Sequence, residues 1–177
     1  MSQLNVNTIT TLSGTDITIP TGKKLVVTDS GGLSVPGTVV QIQNTQSNTQ
    51  YTANNIGVLT YLYQVAITPK FSNSKFLVHF NTSGVSNGGS GRLALRIRHN
   101  ETSGDNSGTQ IMDCQLALPG AGTSHLTGGG ASVLVNSVGN TNTQYFKVCA
   151  YKNDTTTTWY VNQYNSYSGI SVMEIAQ

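Results

Sequence analysis

The chain has 177 residues, of which 9% are charged, and a formal net charge of +2. Charge this sparse argues against a nucleic-acid-binding protein, which usually carries a basic stripe. No apolar run approaches the roughly 20 residues of a membrane-spanning helix, and residues 1–10 lack the basic start and apolar core of a secretory leader. We therefore expect no nucleic-acid partner, no membrane insertion and no leader. Thr, Ser, Asn and Gly dominate instead, and these residues form helices poorly.

Short apolar pairs recur every eight residues near the start of the chain. They are Ile17/Ile19, Leu25/Val27 and Leu33/Val35. Each pair follows a glycine turn, and the first 36 residues contain no aromatic side chain with which one copy could build a core. Strands this short bury apolar residues only against other chains or against a host surface, and a threefold axis does so most simply. The spacing predicts a β-structured stalk or docking arm over residues 1–36 of a homotrimer. A flexible arm with chance periodicity is the alternative.

Strand-like segments fill the rest of the chain, separated by Gly, Asn, Ser and Pro clusters. They cover residues 38–44, 57–69, 75–84, 92–100, 109–118, 131–138, 144–153, 155–165 and 170–176. No window shows a sustained helical stripe. Many short strands in one stretch predict an all-β fold, with a jelly-roll-like β-sandwich head over residues 37–177.

Residues alternate cleanly in "RLALRIR". One face of this strand carries Leu93, Leu95 and Ile97. The other carries three arginines, Arg92, Arg96 and Arg98. Because the net charge is so small, we interpret the arginines as salt-bridge partners at a subunit interface. Contact with phosphates is the alternative.

Two carboxylates, Asp113 and Glu174, lie inside apparent strands. A glycosidase needs two facing carboxylates, so this pair is the remote basis for a carbohydrate-active enzyme. Buried acids more often pair with arginine, and we expect that structural role here. With no nucleophile motif in the sequence, we expect a non-enzymatic protein.

Metal-binding and redox signatures are absent from the sequence. His79, His99 and His125 have no zinc-site spacing, so we expect neither a metal nor a cofactor. A metal held by three copies of His125 on a threefold axis is the alternative. Cys114 and Cys149 sit in apolar stretches, which predicts buried free thiols.

Two glycine-rich segments, "TSGVSNGGSGRL" and "PGAGTSHLTGGGA", read as long loops. We interpret them first as plain connections between strands; the alternative is recognition, which long loops on a rigid β-scaffold often carry.

Aromatic residues gather in "TWYVNQYNSYSG". They are Trp159, Tyr160, Tyr164 and Tyr167. Aromatic faces stack on sugar rings, and nearby Asn and Gln side chains both donate and accept hydrogen bonds. The segment is therefore a candidate contact with a receptor or glycan. In the alternative interpretation, Trp159 belongs to the core and the tyrosines fill a subunit interface.

Several segments resemble small virion proteins of tailed phages that infect marine bacteria and cyanobacteria. They are "LNVNTITTLSGTDITIPTGKKL" followed by "VVQIQNT", the middle segment "ITPKFSNSKFLV", the strand "GRLALRIRHN" and the ending "GISVMEIAQ". The similarity spans nearly the whole chain, although its motifs carry little chemistry.

The resemblance implies a tail-fibre-like structural protein of the virion, assembled in the host cytoplasm. The N-terminal arm would dock on other virion proteins of the tail or capsid, and the head would attach to the host surface. A capsid decoration, cement or head-fibre protein is the alternative. The resemblance supplies no catalytic residues.

Overall fold

The computed structural model describes residues 21–24, 26, 35–87, 91–118, 127–153 and 158–177. Backbone contacts divide the chain into Met1–Leu33 and Ser34–Gln177. Five of the six predicted stalk residues lie outside the described residues: Ile17, Ile19, Leu25, Val27 and Leu33. The sixth, Val35, is described and is 44% exposed. The trimeric stalk therefore stays a prediction.

The head consists almost entirely of strands. In chain order they are β1 (Val39–Ser47), β2 (Tyr51–Ala53), β3 (Leu59–Ile67), β4 (Lys75–Asn87), β5 (Gly91–Asn100), β6 (Thr109–Leu118), β7 (Thr127–Asn136), β8 (Gln144–Lys152), β9 (Trp159–Val161) and β10 (Ser168–Ile175). A short 3₁₀ turn, Gln163–Asn165, lies between β9 and β10.

The strands form two antiparallel sheets that pack face to face. In sheet A, β10 lies between β1 and β4, and β7 pairs with the other edge of β4. The last residues of β4 pair with β9 instead of β10, and β9 in turn pairs with β2. Sheet B has the order β3-β8-β5-β6. If β1–β2 and β9–β10 are each counted as one interrupted strand, this is the eight-stranded order of a jelly roll. The predicted all-β sandwich is confirmed.

The inward faces of both sheets supply one hydrophobic core. Among its fully buried members are Phe76, Val78, Phe80, Leu93, Leu95, Ile97, Phe146, Val148, Ile170 and Val172. The alternation predicted for β5 is confirmed, because its three apolar residues are all 0% exposed. Burying a large apolar side chain contributes about 1.5–3 kcal/mol, so this core holds the sheets together.

The prediction of long glycine-rich loops is wrong for most of the first segment and for the end of the second, whose residues 119–126 lie outside the described residues. Strand β4 continues to Asn87 and β5 begins at Gly91, while the second run enters β7 at Thr127. Close packing explains two of the glycines in β7. A Cβ on Gly130 would lie 2.8 Å from the Phe80 carbonyl oxygen, and one on Gly129 would lie 3.0 Å from Leu116 Cδ2. His125 lies outside the described residues.

The first strand of the head is tied to the last. The Thr38 N–H donates to the Val35 carbonyl at 3.0 Å across a turn with Gly37 at φ 86°, the left-handed position that glycine favours in a type II turn. Gly37 then donates to the carbonyl of Ala176 at 2.8 Å, and Ala176 donates to that of Thr38 at 3.0 Å. These bonds hold residues 37 and 38 against the segment that follows β10.

Candidate functional site

Part of the outer face of sheet B is covered by the β5–β6 connection, residues 101–108, which we call the latch loop. Lys147 on β8 is fully buried and donates through Nζ to the carboxylate of Asp105. Gln64 on β3 donates to Ser103 Oγ at 2.8 Å and accepts from the Gly104 N–H at 2.9 Å. The polar groups on this face are thus largely bonded within the chain.

Contacts of the latch loop also explain why the pKa of its Asp105 carboxylate is lowered. The hydrogen bond from Lys147, with a further one from Ser107, holds the pKa of Asp105 below its ordinary value.

The two cysteines differ in burial. Cys149 is buried, and burial raises the pKa of its thiol to about 11. Cys114 is only half-buried, which corrects the prediction for that residue. Its Sγ would lie 3.4 Å from a Cβ on Gly129, at the edge where β6 meets β7.

Two of the predicted interface arginines have partners within the chain. Arg96 Nε lies 3.3 Å from Asp113 Oδ2, and the Arg96 guanidinium stacks 3.8 Å from the ring centroid of Tyr151. Arg98 donates to the carbonyl of Gly108 in the latch loop. Arg92 is exposed near the end of the same strand. A role for the three arginines between subunits stays a prediction.

Among the described residues, Glu174 pairs with no arginine, contrary to expectation. It lies on the inner face of β10, fully buried, and accepts hydrogen bonds from the β3–β4 connection and from β1. The donors are Ser74 Oγ at 2.6 Å, Gln41 Nε2 at 2.6 Å, and the backbone N–H groups of Lys70 at 2.8 Å and Phe71 at 3.2 Å. Since Asp113 lies on the outer side of sheet B, these two carboxylates do not flank a common space.

The histidines are placed separately. His99 is buried and stacks on Phe146 with ring centroids 4.3 Å apart, and its Nε2 lies 2.7 Å from Gln144 Oε1. Burial lowers the pKa of His99 below its ordinary value. His79 lies on the outer face of sheet A, with Nδ1 2.8 Å from Ser132 Oγ. Within the described ranges, no group of three or more His, Cys, Asp or Glu side chains could hold a metal ion.

The last strand is interrupted by a six-residue bulge, Asn162–Tyr167, which we call the tyrosine bulge. Val161 pairs with Val85 and Ser168 pairs with Thr82, so six residues stand opposite two residues of β4. Tyr164 and Tyr167 are 67% and 56% exposed. The bulge therefore raises two aromatic side chains off the sheet.

The tyrosine bulge has unusual backbone geometry and a fixed base. Asn162, Tyr164 and Asn165 have φ of 60°, 55° and 59°. Asn tolerates this left-handed region, but a tyrosine is strained there, and such strain collects at functional sites. The buried Asn162 amide donates to the carbonyls of Ser47 at 2.9 Å and Thr49 at 3.1 Å. These bonds tie the bulge to the gap between β1 and β2.

A groove of about 170 Å³ lies beside the bulge on sheet A, and we call it the polar groove. Its lining residues are Gln46, Asn81, Thr82, Tyr167, Ser168 and Gly169. None of these residues is charged. The buried hydroxyl of Thr82 has no hydrogen-bond partner in the part of the chain that the structure describes. The groove therefore offers neutral hydrogen-bonding groups next to an exposed aromatic ring.

The four aromatic residues singled out from the sequence do not form one surface. Trp159 is fully buried in the core, so it cannot contact a receptor, while Tyr160 is half-buried. Tyr164 and Tyr167 remain exposed in the tyrosine bulge. Gln46, Asn81 and Gly169 were missed, because the register of three strands brings them together over a long sequence separation.

Sheet A also carries an apolar row on its outer face. Strand pairing aligns Ile42, Met173, Leu77 and Leu134 across β1, β10, β4 and β7. Ile42 and Leu134 are each 53% exposed, and the other two are half-buried. We call these four residues the apolar row.

Comparisons with known proteins give distant structural likenesses. No protein-family model matches the chain, and no curated protein matches its sequence. A structure of the infectious bursal disease virus Gx strain is similar with 16% identity and a TM-score of 0.35, covering 78% of this chain and 33% of that one. A mutant VP2 protein of the same virus, from T=1 particles, has 12% identity and a TM-score of 0.30, covering 87% and 45%. The chain thus spans less than half the length of either.

No helix in the described ranges is long and apolar enough to cross a bilayer.

Proposed function

We propose that the protein is a non-enzymatic, tail-fibre-like structural protein of a phage virion. It forms a homotrimer, docks on other virion proteins through residues 1–36 and attaches to a host-surface glycan through the head. It needs no cofactor. The virion role rests on the sequence resemblance to small phage virion proteins, and the jelly-roll fold is compatible with it, because viral capsid and lectin domains both use this fold.

The observation that supports attachment is the tyrosine bulge. Its two exposed rings stand on a strained backbone segment whose base is fixed by Asn162. Tyrosine gives large contact area with little conformational entropy to lose, and fixed placement lowers the cost of binding further. The polar groove beside it adds hydrogen-bonding groups. This combination suits recognition of a sugar surface.

A cell-binding assay tests the attachment role. Purified protein should bind host cells and compete with infection by whole phage. Replacing both Tyr164 and Tyr167 by Ala should reduce binding about tenfold or more, as expected when central aromatic contacts are lost. Val138→Ala is the matched control, since Val138 is 46% exposed in the β7–β8 connection. Equal binding by the double variant and the control would remove the bulge from the proposal.

The trimer has a separate test. Deleting residues 1–36 should reduce the mass measured by light scattering from that of a trimer, or prevent incorporation into particles, while the remaining head keeps its cooperative unfolding. The head has its own hydrophobic core, so its folding does not need the arm. A truncated protein that melts as a disordered chain would contradict the two-part organisation.

Capsid decoration or cementing is the second candidate, and the apolar row favours it. Four aligned apolar side chains on an open sheet face suit burial against another virion protein. Gold-labelled antibody against residues 37–177 separates the two functions in electron micrographs of whole particles. Gold at the tail supports attachment, whereas gold scattered over the capsid supports decoration, with added protein then raising the heat resistance of particles.

A further inference from the structure

The floor of the polar groove is made by a glycine that three strands hold in register. Gly169 on β10 pairs with Gln46 on β1 and with Asn81 on β4. A Cβ at this position would lie 3.1 Å from Asn81 Oδ1 and 3.5 Å from Gln46 Cγ. The missing side chain therefore opens a space between two side-chain amides, and any larger residue at position 169 would fill it.

We propose that the polar groove is the subsite for one neutral pyranose ring, and that Gly169 determines access to it. This inference rests on the proposed attachment function, for which it names the ligand class and the specificity residue. The space, about 170 Å³, is smaller than the 300–1,000 Å³ of pockets for drug-sized ligands. It therefore fits a single ring rather than an oligosaccharide buried along its length.

The lining matches the two kinds of surface on a sugar. A carboxamide carries both an acceptor oxygen and two N–H donors, so Asn81 and Gln46 suit adjacent hydroxyl groups. The Tyr167 ring, 56% exposed, offers an apolar face to the C–H side of the ring.

The absence of charge in the lining selects against acidic sugars. Gln46, Asn81, Thr82, Tyr167, Ser168 and Gly169 include no cation that could compensate a carboxylate. A uronic or sialic acid seated there would lose hydration without an ionic partner, which is costly. A neutral hexose exchanges its water hydrogen bonds for amide and hydroxyl partners instead.

One ring in a shallow site binds weakly. Few atoms are in contact, so we expect a dissociation constant on the order of 1 mM for one site. Three sites on a homotrimer would raise the apparent affinity for a cell surface by about 10²–10⁴ when the spacing allows simultaneous contact. Weak single sites are therefore compatible with firm attachment.

The test is an NMR titration of the full-length protein with the methyl glycosides of glucose, galactose and mannose, and with methyl glucuronide. We expect at least one neutral glycoside to shift signals of the groove residues, with little response to the glucuronide. Gly169→Ala should abolish that response. It keeps the fold, because the nearest atoms to the new Cβ are side-chain atoms rather than backbone.

Ser171→Ala is the matched control. Ser171 is the next outward-facing residue of β10 and does not line the groove, so this variant should bind like the wild type. Binding of the glucuronide alone, no groove response to any glycoside, or an unchanged response in Gly169→Ala would overturn the inference.

Cell binding distinguishes a failure of this inference from a failure of the proposed function. If wild type and Gly169→Ala bind host cells equally, the attachment function stands and the subsite is wrong. If neutral glycosides occupy the groove but the protein ignores host cells, the subsite stands and host attachment is wrong.

Discussion

The outer faces of the two sheets differ in how their polar groups are used. On sheet B, the latch loop covers the strands, and Lys147, Gln64 and Arg98 all bond to it. On sheet A, no comparable loop among the described residues covers the face, which carries the tyrosine bulge, the polar groove and the apolar row. Among the described residues, the chain itself covers part of sheet B's outer face and leaves the outer face of sheet A uncovered.

This difference indicates which face is available to partners. Hydrogen bonds and ion pairs satisfied within the chain contribute to folding and leave little for a ligand. Exposed tyrosines and a row of apolar side chains contribute little to folding and are costly to leave in water. We therefore expect changes inside the molecule or beneath the latch loop to affect stability, and changes on sheet A's outer face to affect binding.

The largest expected effect is on stability, at the buried carboxylate of Glu174. Glu174→Gln places an amide N–H₂ among four donors, so we expect a loss of about 3 kcal/mol in the free energy of unfolding. Chemical denaturation measures it. The control Asp113→Asn removes a partly exposed pair with Arg96 and should cost less than about 1 kcal/mol. Equal losses of unfolding free energy in the two variants would show that the buried Glu174 carboxylate is no more important for stability than the partly exposed Asp113 carboxylate.

Thiol labelling of Cys149 tests whether the latch loop closes sheet B. In a Cys114→Ser background, Cys149 should react slowly, because it is buried and its pKa is raised to about 11. Asp105→Asn removes the carboxylate from the buried Lys147 and should speed labelling about tenfold through easier local opening. Asp113→Asn, on the same outer face but outside the loop, serves as the control and should leave the rate unchanged.

Acid should open the latch loop only at low pH. The pKa of Asp105 is lowered by its bond to Lys147, so its contribution is present above the ordinary aspartate value. That contribution is lost as the pH falls through the lowered pKa. A Cys149 labelling rate that already rises at mildly acidic pH, relative to that of a small free thiol at the same pH, would contradict this role of Asp105.

A smaller pH effect should come from His99. Because burial lowers its folded-state pKa, the unfolded chain binds the proton more readily, and stability should decrease as the pH falls below the ordinary value of 6.5. One group gives a slope of at most about 1.4 kcal/mol per pH unit. Unfolding measured between about pH 5 and 7 should show this slope in wild type and in a His79→Gln control, but not in His99→Phe.

Alternating sequence made several strands predictable, whereas long-range contacts did not show in the sequence. The run around Leu95 alternates so strictly that β5 and its core face followed directly. The partners of Glu174 lie 100 to 133 residues away along the chain, and no spacing rule reveals them. The short strand β2 was missed because three residues carry too little pattern.

The candidate site was predictable only in part, for two physical reasons. Residues 155–165 read as one strand, but left-handed backbone at Asn162 and Tyr164 ends β9 at Val161 and creates the bulge. Trp159 faces the core through the alternation of β9, whereas the break exposes Tyr164. The polar groove depends on strand register around Gly169, which composition does not encode.

The smallest expected effect distinguishes the backbone strain at Tyr164 from the contribution of its aromatic ring to binding. Tyr164 has φ 55° and ψ 43°, a conformation that costs an ordinary residue about 1–2 kcal/mol but that Asn tolerates. Tyr164→Asn should therefore raise the free energy of unfolding by about 0.5 kcal/mol relative to Tyr164→Ala, while both variants bind host cells more weakly than wild type. Equal stability of the Asn and Ala variants would mean that the tyrosine is not strained. If Tyr164 is kept for recognition at a cost in stability, a variant at this position should be more stable but should bind host cells less well.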